Sequence, residues 1–237
     1  MDLLRAVHNC RFISTVQLLA LFESESRDGI YERLKRLFHH AYLNRIGDNP
    51  NAPLIYSLAA RGAEALDVAV RNEVGDRYLL HQLMITECRV RLASAARRAG
   101  IEVLWRQVPR ESPVQPDCFF GLRFPDRPEG ANRAFFFLEA DRSTMPRGRF
   151  IEKLLAYERW SKAGAHTAAL GIRSFRILTV TKSPERFESL LGMTARDDRL
   201  HALRPRCWFT PMARIGAIFD PIWQSAAEPD NLKTILP

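Results

Sequence analysis

Cysteine is sparse in this chain and long apolar runs are missing. The four cysteines, Cys10, Cys88, Cys118 and Cys207, are scattered over 237 residues with no CxxC pair. That spacing argues against a disulfide scaffold or a zinc site and suits a reducing compartment. No apolar stretch approaches the roughly 20 residues that span a bilayer. MDLLRAVHNCRF lacks the order of a secretory leader. The expectation is a cytoplasmic protein without membrane contact. The six histidines show no HxxxH or HExxH spacing, and His39-His40 reads as polar surface at a helix end. GxGxxG, P-loop and GxSxG strings are all missing, so nucleotide binding and serine hydrolysis have no support.

What is present is an ordinary globular composition, 46% hydrophobic and 26% charged, with length for one large domain or two small ones. The net charge is +8, and it is unevenly placed. Residues 1–75 hold 9 Lys+Arg against 9 Asp+Glu, which leaves 26 against 18 and the whole surplus to residues 76–237. A basic surplus favours polyanionic partners, nucleic acid above all.

The N-terminal part reads as three helices and a hairpin. Residues 2–8 form a short helix. Ser14 or Thr15 caps a second, running to about Phe22. Asp28 caps a third, with Ile30, Leu34, Leu37 and Phe38 on its apolar side. The other side carries Arg27, Tyr31, Arg33, Lys35 and Arg36. YLNRI, the turn-rich GDNPNAP and LIYSL then read as strand, loop and strand, with Arg45 and Asn49 on the loop side. ARGAEALDVAV closes as a helix. This order resembles a winged helix-turn-helix, whose last helix of the trio enters the major groove. Such a module also serves protein–protein contacts, and a basic helix face can be merely solvated.

From His81 the pattern changes. A helix ends at Gly100, and strands come next at Ile101–Arg106, from about Asp117, and at AFFFLEA. After them come a helix over RFIEKLLAYERWSKAG, a strand Phe175–Thr181, a helix begun by Ser183 and Pro184 and a strand at RCWFTP. The tail from Glu228 reads as poorly ordered. The expected class is mixed α/β (α+β), with domains at 1–76 and 77–227 and a tail at 228–237.

The third strand, FFFLEAD, drives an apolar run into acids. Strand side chains alternate, so Glu139 and Asp141 share a face. Asp117, at the start of the neighbouring strand, is placed to join them. Three convergent carboxylates suit a hard divalent ion such as Mg²⁺. The bland reading is a solvated strand end with Arg142 and Arg147 as local partners.

The αβββαβ order, Pro116-Asp117 and Glu139-Ala140-Asp141 resemble the restriction-endonuclease-like, PD-(D/E)xK fold. That resemblance implies metal ligation by Asp117, Glu139 and Asp141, with Glu87 on the preceding helix as a fourth acid. It also implies a lysine where Asp141 stands. Lys153, on the following helix, is the candidate replacement, since an acid cannot stabilise developing negative charge. Without it the domain is a relic that binds without cutting.

The whole is similar to the replication-relaxation family of plasmid and mobile-element proteins. RFISTVQLLALF, ERLKRLFHHAYLNRI, IYSLAARGAEAL, PDCFF, FFFLEADRST with EKLLAYERW, and FRILTVT carry the resemblance. It implies double-stranded DNA as partner, with a homodimer and a relaxase or replication protein as further partners. Two alternatives stay open: a Mg²⁺-dependent nuclease or nickase, and a transcriptional regulator with an inactive nuclease-like domain. Ala41 stands where the family more usually has glycine, which makes a left-handed helix cap less comfortable.

Overall fold

The structure, a computed structural model, describes residues 3–47, 52–69 and 75–236. It is of mixed helix and sheet and divides into two units, residues 1–94 and 95–237. Among the described residues no helix is long and apolar enough to cross a membrane.

The first unit runs α1 (Leu3–Cys10), β1 (Ile13–Ser14), α2 (Thr15–Leu21), α3 (Arg27–His39), β2 (Leu43–Ile46), β3 (Ile55–Leu58), α4 (Ala60–Ala65) and α5 (Asp76–Arg98). A capping box starts α2: Ser14 Oγ accepts from the Gln17 N–H, and Gln17 Oε1 accepts from the Ser14 N–H. Ser26, not Asp28, caps α3, its hydroxyl accepting from the Gly29 N–H at 3.1 Å. Asp28 lies in the first turn instead, where an acid suits the helix dipole. The three strands are antiparallel in the order β1-β3-β2. The expected hairpin is therefore present, with Leu43 opposite Leu58 and Ile46 opposite Ile55. Its tip, including Asn49, lies outside the described residues.

Leu18, Ile30, Leu34, Leu43 and Tyr56 are core residues of this unit, and Val90 of α5 joins them. The hydroxyl of Thr86 donates to the Phe12 carbonyl at 2.8 Å, and Ser94 donates to Ala20 at 3.1 Å. The long helix that reads from sequence as the opening of the second domain thus packs, through residue 94, as part of the first unit. Gly62 is required where it stands: a Cβ there would meet the Tyr42 carbonyl oxygen at 2.2 Å.

The end of α3 differs from expectation. Ala41 adopts φ 58°, the left-handed conformation its side chain disfavours. The Ala41 N–H donates to Phe38 and the Tyr42 N–H to Leu37, the paired bonds of a Schellman turn. Tyr42 and Leu43 must turn into β2 at this point, and that tertiary demand overrides alanine's preference.

The second unit holds β4 (Glu102–Arg106), β5 (Cys118–Arg123), β6 (Arg133–Asp141), α6 (Arg147–Lys162), α7 (Ala165–Leu170), β7 (Arg176–Thr181), α8 (Pro184–Arg196), β8 (Cys207–Pro211), β9 (Trp223–Ser225) and β10 (Glu228–Lys233). They form one sheet in the order β10-β9-β8-β7-β6-β5-β4, with β6, β7 and β8 mutually parallel. The helices α6 and α8 make the crossovers. Phe137 anchors the face they cover, with ring centroids 4.8 Å from Phe119 and Phe175 and 5.4 Å from Tyr157. Two strands go beyond the sequence reading. The tail from Glu228 does not stay loose but pairs antiparallel with β9. Its polar EPDNLK pattern hides a strand because an edge tolerates proline and charge. Buried Ile235 then pins the chain just past that strand.

Candidate functional sites

The alternation along β6 sends Phe137, Glu139 and Asp141 to the helix-covered face, as its period of two requires. Both acids are buried there, Glu139 at 5% and Asp141 at 6% exposure. On α6, Lys153 and Tyr157 are four residues apart and so share one helix face. That face meets Glu139. The Lys153 ammonium pairs with Oε2, and the Tyr157 hydroxyl donates to Oε1 at 2.7 Å.

Asp117 is fastened to the same strand. Its Oδ2 accepts from the Ala140 N–H at 2.7 Å, and its own N–H donates to the Leu138 carbonyl at 3.1 Å. The structure thus brings Glu139, Lys153 and Tyr157 into contact, with Asp117 latched alongside. Burial pushes the Glu139 carboxyl up from 4.5 to about 7. Lys153 pulls it down, Asp117 pushes it up, and the hydrogen bonds from Lys153 and Tyr157 lower it. Burial, and after it the charge of Glu139, holds the Tyr157 hydroxyl well above its ordinary value.

Asp141 is engaged elsewhere. Arg186, in the first turn of α8, grips it with two prongs of its fork: Nε reaches Oδ1 at 2.8 Å and Nη2 reaches Oδ2 at 2.9 Å. Oδ1 also accepts from the Ser143 N–H at 2.8 Å, and Arg186 Nη2 donates to the Met145 carbonyl at 2.7 Å. Arg147, one of the two local partners read from sequence, does not take this role. Sequence reasoning misses Arg186 because it lies 45 residues away. A signal exists: β7 pairs parallel with β6, and its helix starts at Ser183, so the first turn of α8 falls beside the end of β6.

Glu87 lies on α5 in the first unit. Its carboxylate accepts from Gln17 Nε2 at 3.0 Å and pairs with Arg91 at 2.7 Å, both within that unit.

These contacts bear on the divalent ion that the fold resemblance implies. Magnesium needs carboxylate oxygens turned to a common point. Both Glu139 oxygens already face donors, and the Lys153 ammonium stands where a cation would. Asp141 is committed to Arg186. Among the described residues no group of three or more His, Cys, Asp and Glu side chains is placed to hold a metal. The residues as arranged do not fit the ion.

The second candidate lies in the first unit. Ile30 and Leu34 turn one side of α3 inward, and Arg27, Tyr31, Lys35 and Arg36 stand exposed on the rest. Arg33 is the exception among the predicted contacts, since it pairs with Glu25. Arg45 extends from β2 over the Phe38 ring, 4.0 Å from its centroid. That stacking braces the guanidinium beside the end of α3 while leaving the residue exposed.

A family model described as replication-relaxation matches residues 4–174, a span that includes the residues of both candidate sites except Arg186. No curated protein and no solved structure matches the chain.

Proposed function

Because this chain belongs to the replication-relaxation family, we propose that it binds double-stranded DNA of a plasmid or other mobile element in the course of replication, relaxation or mobilisation. The first unit is read as a winged helix: α3 lies in the major groove and the β2–β3 hairpin is the wing. One observation carries the reading. The solvent side of α3 presents Arg27, Lys35 and Arg36 with Tyr31, on a helix held from behind by Ile30 and Leu34. A helix of this kind fits the groove, and its cations neutralise the flanking phosphates. Arg45, braced on Phe38, adds a phosphate contact from the wing. A homodimer, a relaxase or a replication protein is the natural further partner in such a role.

Fluorescence anisotropy with labelled duplex across a salt series tests this. Arg27→Ala/Lys35→Ala/Arg36→Ala is expected to weaken binding and to flatten the salt dependence by about 0.9 for each phosphate no longer neutralised. Unchanged affinity in a folded variant removes α3 as the reader. The competing class is a Mg²⁺-dependent nuclease. Incubation with supercoiled plasmid and Mg²⁺ is expected to leave the plasmid uncut. Nicking that requires the metal and disappears in Glu139→Ala would replace the binding-only reading with an enzymatic one.

A further inference from the structure

The acids at the carboxyl end of β6 are neutralised from inside, Glu139 by Lys153 and Asp141 by Arg186. The cations outside them are not. Arg147 and Arg149, in the first turn of α6, are exposed, and so is Lys182, directly after β7. Among the described residues none of these three has a carboxylate partner. Hydrogen bonds tie the segments that carry them to one strand end. The Lys182 N–H donates to the Asp141 carbonyl at 2.9 Å, which puts Lys182 beside Arg142 at the ends of adjacent parallel strands. Exposed acids in the same segments are partly occupied: Glu152 faces Arg199 at 3.6 Å, and Glu185 is hydrogen-bonded to Ser183.

The loop that leads from β6 to the first two of these cations is fastened at both ends. Asp141 holds the Ser143 N–H, and Arg186 bridges Asp141 to the Met145 carbonyl. Asp141 and Arg186 together act as a buckle that sets the path from β6 into α6. Cations carried on backbone fixed in advance lose little conformational freedom when they bind, and guanidinium groups match phosphate geometry. The cations stand along the first turn of a helix and just past a strand end, open to solvent. That layout suits an extended polyanion better than a lone ion.

We infer that the start of α6, with Arg147 and Arg149, and the end of β7, with Lys182, form a second phosphate-binding surface for a nucleic-acid strand, distinct from α3. It shares with the proposed function only the class of partner. The full chain is titrated against labelled duplex across a salt series in three forms: unaltered, Arg147→Gln/Arg149→Gln/Lys182→Gln, and Arg27→Gln/Lys35→Gln/Arg36→Gln. The α6–β7 variant is expected to bind more weakly, with a salt slope reduced by about 2–3, at some 0.9 per phosphate, and an unchanged circular dichroism spectrum. If the α6–β7 variant matches the unaltered chain while the α3 variant loses affinity, this inference is overturned and the α3 reading stands. If only the α6–β7 variant loses affinity, the α3 reading falls and this surface remains. Displacement of the duplex by inorganic phosphate at matched ionic strength would show a lone-anion site and also overturn it.

Discussion

Replacing Glu139 by glutamine is expected to stabilise the protein at neutral pH and to flatten its stability between acid and neutral pH. The carboxyl sits at about 7 in the folded chain against 4.5 in the unfolded one. Between those values the folded state holds a proton that the unfolded state has released. Stability therefore falls as pH rises through this window, and the loss is complete once the folded carboxyl ionises. At 1.36 kcal/mol per pKa unit, the site loses about 3 kcal/mol between pH 4.5 and neutrality. Glutamine does not titrate, so its contribution is the same at both ends. Its amide oxygen still accepts from Tyr157 or Lys153, and Lys153, at 23% side-chain exposure, extends into water for what it loses. The difference in melting temperature between variant and parent is thus larger at pH 8 than at pH 4.5. At roughly 2–4 °C per kcal/mol for a protein of this size, the change in that difference is on the order of 6–12 °C. Lys153→Met makes a useful contrast. It removes the cation that pulls the carboxyl down, so the loss of stability runs on to higher pH. Melts monitored by circular dichroism from pH 4 to 8.5 decide the matter. Parallel profiles for the parent and Glu139→Gln would refute the reasoning, because Glu139 would then titrate alike in both states.

Backbone and ion-pair geometry give two further expected outcomes. Ala41→Gly removes a left-handed penalty of about 1–2 kcal/mol, against a smaller gain of freedom in the unfolded chain, so urea denaturation is expected to show roughly 1 kcal/mol of added stability. A loss would mean that α3 does not end in the Schellman turn. Arg186→Met leaves Asp141, 4% exposed in its side chain, as an uncompensated buried charge and is expected to cost about 3–5 kcal/mol. Adding Asp141→Asn to that variant recovers a good part of the loss, and an equal cost in the single and double variants would show that the pair is not the origin.

The legible parts of this molecule are those governed by short-range periodicity. Alternation alone puts Phe137, Glu139 and Asp141 on one face of β6. The i, i+4 spacing alone puts Lys153 and Tyr157 on one face of α6. Ser14 and Ser183 announce their helices because a cap is a local hydrogen bond. The illegible parts depend on distant residues. Arg186 meets Asp141 only because β7 lies parallel to β6. Ala41 is left-handed because the chain must enter β2, which outweighs a residue's own preference. The strand at Glu228–Lys233 is polar because it is an edge, and its partner β9 is a short strand with no alternation to read. Helix α5 reads as the start of a second domain by composition, yet Thr86, Val90 and Ser94 dock it on α1, α2 and their neighbours.

The acids of β6 show why residue type at a strand end does not by itself define a metal site. Three carboxylates near one point repel, and burial raises the cost of keeping them ionised. A metal ion is one solution. Here each of the two buried acids has a protein cation from a different crossover helix: α6 supplies Lys153 to Glu139, and α8 supplies Arg186 to Asp141. Two separate ion pairs replace a shared cation. The distribution also suits an acid at position 141. A lysine there would face the Arg186 guanidinium in a buried setting, and like charges at that distance are repulsive. Asp141 is thus matched to α8 rather than to a metal. With the acids neutralised within, the charge that the second unit shows to solvent at this edge is set by the arginines and lysine outside them.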